Sequence, residues 1–183
     1  MLMHDHREVE KLFAEIESLR GTPDRVLQQR RAELVDTVVI ELVRHSVAEE
    51  AEVYPRVKEK ISAAEAEQAE REHAEAEATM KRLDGLDLDE PAFEEAFTRL
   101  MREIREHVAE EEGEMFPRMR SMFSRGELVE MARKVQRVKK LAPTRPHPSA
   151  PDEPPTNKLL APIAGLFDRM RDFASGRKAA DPE

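Results

Sequence analysis

Apolar residues recur at three- and four-residue steps along the chain as far as Leu141, the spacing that puts them on one face of an α-helix. A first helix is predicted from about Asp5 to Arg20, ending near Gly21, with His6, Val9, Phe13, Ile16 and Leu19 on its inward stripe. Thr22-Pro23 has the form of an N-cap followed by proline at the first helical position. A long second helix is therefore expected from about Pro23 to Val53 or beyond, with Leu34 or Val35, Val38, Leu42, His45, Glu49 and Val53 inward. Pro55 should end or kink it. Ser62-Ala63-Ala64-Glu65 has capping-box spacing and opens a third helix, with Ala66, Ala69, His73, Ala76 or Glu77, Met80 and Leu83 inward and Gly85 closing it. Asp89 and Pro91 start a fourth, whose stripe is Phe93, Phe97, Leu100, Ile104, His107, Glu111 and Met115, with Pro117 as its end or a kink. Ser124 and Glu127 repeat the capping-box spacing and open a shorter helix to about Leu141.

The pattern then changes. Residues 142–156 contain six prolines and read as an extended linker. A short amphipathic segment follows, with Leu159, Leu160, Ile163, Leu166, Phe167, Met170 and Phe173 on one side, and a disordered end is expected after it. No run of alternating β-branched residues suggests a sheet. The fold class is all-α, with a bundle over residues 1–120, an additional helix over 121–141, a linker over 142–156 and the amphipathic C-terminal segment over 157–183.

In each of the long helices a His interrupts the apolar stripe, and in two a Glu does so one turn later. His45-Ser-Val-Ala-Glu49 and His107-Val-Ala-Glu-Glu111 open strings that almost repeat, each ending in an aromatic residue and a proline. A second repeat aligns His6 with His73, Glu8 with Glu75 and Glu10 with Glu77. Residues at i and i+4 lie on the same helix face. Two related halves packed face to face would bring these His and Glu side chains together. A buried Glu is costly unless it is paired, protonated or metal-bound. Nitrogen and carboxylate donors without sulfur suit iron, manganese or zinc, and two carboxylates between four imidazoles favour a dinuclear centre.

These residues resemble the hemerythrin-like, HHE cation-binding family. The resemblance covers about residues 4–120, with His6, His45, Glu49, His73, His107 and Glu111 in order on the expected helices. It implies an up-down four-helix bundle around two non-haem iron ions bridged by an oxo or hydroxo group. Glu49 and Glu111 would bridge the irons, His6 and His45 would serve one, and His73 and His107 the other. The resemblance departs at one position: oxygen-carrying hemerythrins have a further His one turn after the residue matching His73, where this chain has Glu77. Glu77, or its repeat partner Glu10, is a candidate further ligand, and a carboxylate there should favour the ferric state over reversible oxygen carriage. Tyr54 is the only tyrosine. A phenolate could reach the metals if the helix kinks at Pro55, but helix geometry favours an aromatic plug matched by Phe116. Glu50 and Glu112, next to the bridging positions, are expected to face water or neighbouring helices. His4 reads as a fraying terminal residue that could substitute for His6, and His147 in the linker is not expected to be a ligand.

Composition narrows the function. The formal charge of −9 argues against nucleic acid as a main partner. The absence of cysteine excludes disulfides and thiolate-held clusters. No apolar run reaches the roughly 20 residues needed to span a membrane, and no signal peptide is legible, so a cytoplasmic location is expected. Arg133, Lys134, Arg137, Lys139, Lys140 and Arg145 form a basic run, read as a solvated helix end complementing the dipole. The expected activity is binding or reduction of a small oxidant, either O2, H2O2 or NO, with catalase-like peroxide decomposition the first to test. The alternative is a non-catalytic iron or oxygen sensor signalling through the C-terminal tail. The expected partners are a diatomic or peroxide ligand and, through the C-terminal segment, a protein partner or the chain's own bundle.

Overall fold

The computed structural model describes residues 1–142; the linker beyond Ala142, His147 and the amphipathic C-terminal segment lie outside the described residues. Within them every element is helical: α1 (Leu2–Ser18), α2 (Arg25–Glu52), α3 (Tyr54–Lys60), α4 (Ala63–Asp84), α5 (Pro91–Glu110), a π-helical turn (Glu111–Met115), α6 (Phe116–Met122) and α7 (Arg125–Leu141). The chain is an all-α bundle whose long helices α1, α2, α4 and α5 run up and down, with α7 packed against α2.

The local signals explain the boundaries, with two shifts. Asp24, not Thr22, caps α2, its carboxylate accepting from the backbone N–H of Val26 and Leu27 at 2.8 and 3.3 Å. Glu90 precedes Pro91 as the N-cap of α5 without a side-chain cap bond. Ser62 accepts from the Glu65 N–H at 3.2 Å and starts α4. At α7 the capping box is complete: Ser124 Oγ accepts from the Glu127 N–H, and Glu127 accepts from the Ser124 N–H at 2.8 Å. Replacing Ser124 by Ala should lower stability by about 1 kcal/mol. Urea unfolding checks this, and an unchanged midpoint would mean that α7 is held by its packing alone.

The buried stripes form two apolar clusters along the bundle. One contains Phe13, Ile16, Val38, Phe93, Phe97 and Leu100. Phe97 meets Phe13 edge-on and stacks on Phe93, both with ring centroids 5.9 Å apart, an arrangement that adds to plain area burial. The other contains Val53, Tyr54, Val57, Met115, Phe116, Met119, Met131 and Val135, and so includes α7 residues. Between these two clusters lie the buried polar residues His6, His45, Glu49, His73, His107 and Glu111. Apolar packing flanks them on both sides.

Candidate metal centre

Each histidine sits on a different long helix: His6 on α1, His45 on α2, His73 on α4 and His107 on α5. Antiparallel packing of α1 on α2 faces His6 Nε2 to His45 Nε2 at 3.1 Å, and α4 on α5 faces His73 Nε2 to His107 Nε2 at 3.2 Å. Glu49 is wholly buried and Glu111 nearly so. Two sets of donor atoms converge: His6, His45, Glu49 and Glu111 in one, and Glu49, His73 and His107 in the other. Glu49 belongs to both.

The outer nitrogens of the imidazoles face carboxylates. His6 Nδ1 lies 2.8 Å from Glu112, His107 Nδ1 2.8 Å from Glu72, and His73 Nδ1 3.1 Å from Glu50. His45 Nδ1 is 3.6 Å from Asp5 Oδ2, beyond hydrogen-bond range. A proton on Nδ1, held by the carboxylate, leaves the Nε2 lone pair pointing inward. Glu50 and Glu112 reach histidines on neighbouring helices, one of the two placements expected from sequence, and their side chains stay 41% and 30% exposed. The repeat pairs Asp5 with Glu72 and Glu50 with Glu112 in position and in role, so the signal for these supports was in the duplicated strings.

Inward-facing acceptors need a cation. Glu49 Oε1 lies 3.0 Å from His45 Nε2, and Glu111 Oε2 lies 3.4 Å from His6 Nε2 and 3.7 Å from His107 Nε2. Both oxygens are buried and neither makes a hydrogen bond. Burial alone would lower the His45 imidazolium, but Glu49 and Asp5 raise it to about 9. Burial likewise opposes charge on His73, and Glu49 with Glu50 raises it to about 10. Without metal the site draws in protons. Donor separations near 3 Å are also those of adjacent ligands about 2.0–2.2 Å from one ion, so the residues fit a pair of metal ions.

Tyr54 breaks the symmetry. Its ring is fully buried, but its hydroxyl does not serve as a remote plug. It lies 3.1 Å from His73 Nε2, 3.1 Å from Glu111 Oε1 and 3.3 Å from Glu49 Oε2. Burial first, then Glu49 and Glu111, push the phenol well above its ordinary value, so it holds its proton there. Phe116, its counterpart, stacks on His6 at 5.8 Å instead. The structure does not bring Glu77 to the cluster: it is half-buried, with its carboxylate 3.8 Å from Lys81. Glu10 pairs on the surface with Arg105 at 2.8 Å, and His4 is exposed beside Glu8.

A cavity of about 220 Å³ opens onto all four histidines. Its walls include Val9, Leu12, Leu42, Met80, Ile104 and Val108, and Asp5, Glu8 and Glu41 also line it. Among the described residues no helix is long and apolar enough to cross a membrane.

The model of the hemerythrin HHE cation-binding domain matches residues 1–119. An uncharacterized hemerythrin-like protein of Schizosaccharomyces pombe is 30% identical over 175 residues, covering 94% of this chain and 83% of that protein. No solved structure matches the chain.

Proposed function

This chain belongs to the hemerythrin HHE cation-binding family, and we propose that it holds two non-haem iron ions and binds or reduces a small oxidant. The observation that carries this reading is the pair of buried, unpartnered carboxylate oxygens on Glu49 and Glu111, set between facing imidazole nitrogens. His6 and His45 would hold one ion, His73 and His107 the other, with Glu49 and Glu111 shared. Iron at that position would supply electrons and Lewis acidity to the oxidant.

The protein's own residues restrict what can react. The cavity is smaller than the roughly 300 Å³ at which pockets for organic ligands begin, and its walls are mostly apolar. O2, NO or H2O2 fits such a chamber. The two apolar clusters flank the histidines, each of which is less than a tenth exposed. The Glu112, Glu72 and Glu50 carboxylates hold their imidazoles in one tautomer and orientation. Tyr54 Oη places a proton beside His73 and Glu111, where it can orient an oxygen ligand, or coordinate as a phenolate once that proton is displaced.

Iron content and the visible spectrum, read before and after peroxide, test this directly. About two irons per chain with near-ultraviolet charge-transfer bands that respond to peroxide are expected, the metal being the chemically reactive group. A long-wavelength band that disappears in Tyr54→Phe would assign the phenolate as a ligand. A colourless zinc protein, or protein without metal when purified in the absence of chelators, would sink the redox reading. The sensor alternative has one structural support: α7, which leads into residues beyond 142, contacts Asp5 next to His45 through Lys139. Deleting residues 143–183 should leave peroxide turnover unchanged in an enzyme and abolish output in a sensor.

A further inference from the structure

The four supporting carboxylates are not equivalent. Glu112, Glu72 and Glu50 lie within 3.1 Å of their histidines. None of those three is paired with a lysine or arginine among the described residues; Glu72 is met by the neutral amide of Gln68, at 2.6 Å, and by the Glu110 carboxyl. Asp5 is the exception. Its Oδ2 lies 3.1 Å from Lys139 Nζ and 3.6 Å from His45 Nδ1. Lys139 sits on α7, outside the four helices that carry the histidines, and its ammonium also lies 3.8 Å from Glu41 Oε2 on α2. The side chains involved are largely shielded: Lys139 is 16% exposed and Asp5 20%. An ion pair at such a site is screened less than one in open water.

We infer that Lys139 is a positioning residue for the metal centre: its ammonium holds the Asp5 carboxylate back from His45 and so weakens the donor power of that one imidazole. The inference rests on the proposed metal-binding reading. A carboxylate bonded to the outer nitrogen of a ligating imidazole raises its basicity and strengthens its hold on a metal. A lysine that draws the same carboxylate away does the opposite. The ion held by His6 and His45 is therefore bound less tightly, and its ferrous state is favoured, relative to the ion held by His73 and His107. α7 thereby adds a second difference, beside Tyr54, between two halves whose ligands repeat almost residue for residue.

The test uses the full chain loaded with iron under argon. Lys139→Met keeps the aliphatic stem and removes the charge. Asp5 should then close on His45, slowing release of one ion to a competing chelator about tenfold, the lower end of outer-shell effects, and lowering its midpoint potential. Lys139→Arg should retain the parent's release rate. Asp5→Asn should release that ion faster, and adding Lys139→Met to it should change nothing further. Equal or faster release from folded Lys139→Met protein, or the same slowing in the Asp5→Asn background, overturns the inference, because the lysine would then act only through the packing of α7. A parent protein without metal would remove the metal-binding reading itself, an outcome the parent's iron content identifies separately.

Discussion

Changing Glu111 to Gln should empty the metal centre, whereas the same change at Glu112 should only weaken it and at Glu77 should leave it intact. The three residues are chemically identical and lie near one site, so the ordering isolates position. Glu111 is 1% exposed, and its Oε2 has no hydrogen-bond partner while facing His6 and His107. A glutamine there keeps the volume but removes the anion that both ions would share in the proposed centre. Its amide also places N–H donors where lone pairs must converge. The loss of affinity should exceed the 10–100-fold typical of outer-shell changes, with the charge-transfer bands absent. Glu112→Gln acts only through His6 Nδ1, 2.8 Å away, and should fall within that 10–100-fold range. Glu77 touches only Lys81 among these groups, so Glu77→Gln should match the parent. Chelator competition on all three variants decides the matter. If Glu77→Gln lost metal as Glu111→Gln does, the carboxylate one turn after His73 would be a ligand after all.

The reason Glu77 misleads lies in helix phase. On α4 the inward steps are His73, Ala76 and Met80, all buried. Ala76 takes the inward place at i+3 and lines the cavity, which leaves i+4 at the edge of the helix. The rule that i and i+4 share a face held for His45 with Glu49 and for His107 with Glu111, because there the inward phase favours the fourth residue. The sequence could not show which phase each helix adopts, since a run of Ala and Glu offers little apolar contrast.

Tyr54 was legible as a candidate but not in its direction. A continuous helix from His45 would turn position 54 away from the metal face. The chain breaks instead: α2 stops at Glu52, Val53 has φ −100° and ψ −59°, and Pro55 begins a new helical turn that re-aims the tyrosine. The second half reaches the same bend by a π-helical turn over Glu111–Met115, one residue wider per turn than an α-helix. Pro117 alone announced a kink there and gave no hint of that turn. The basic run near Leu141 likewise has the pattern of a solvated helix end, yet Lys139 is mostly covered and paired with Asp5. Local spacing carries capping, stripes and ligands; it does not carry contacts between helices whose order of packing is unknown.

Stripping the metal should lower the melting temperature by roughly 8–16 °C near neutral pH, and the gap should widen as the pH rises. Binding that occurs only in the folded state adds about 4 kcal/mol when the ligand stands at 1,000 times its dissociation constant. For a chain of this size each kcal/mol corresponds to roughly 2–4 °C. The metal-free protein has a substitute, because protons on the imidazoles partly balance Glu49 and Glu111. His45 titrates at about 9 and His73 at about 10, against an ordinary value of 6.5. Groups whose folded value is raised give their full stabilisation below the unfolded value and lose it as the pH climbs to the folded one. Metal-free protein should therefore melt progressively lower between about pH 6.5 and 10, as its buried carboxylates lose their last counter-charge. Metal-bound imidazoles have no such proton to lose, so the loaded protein should change far less over the same range. Thermal melts with and without a chelator, at pH 6.5, 8 and 9.5, measure both effects. Coincident curves at every pH would mean that the bundle stands without a cation, and that its buried Glu and His residues satisfy one another.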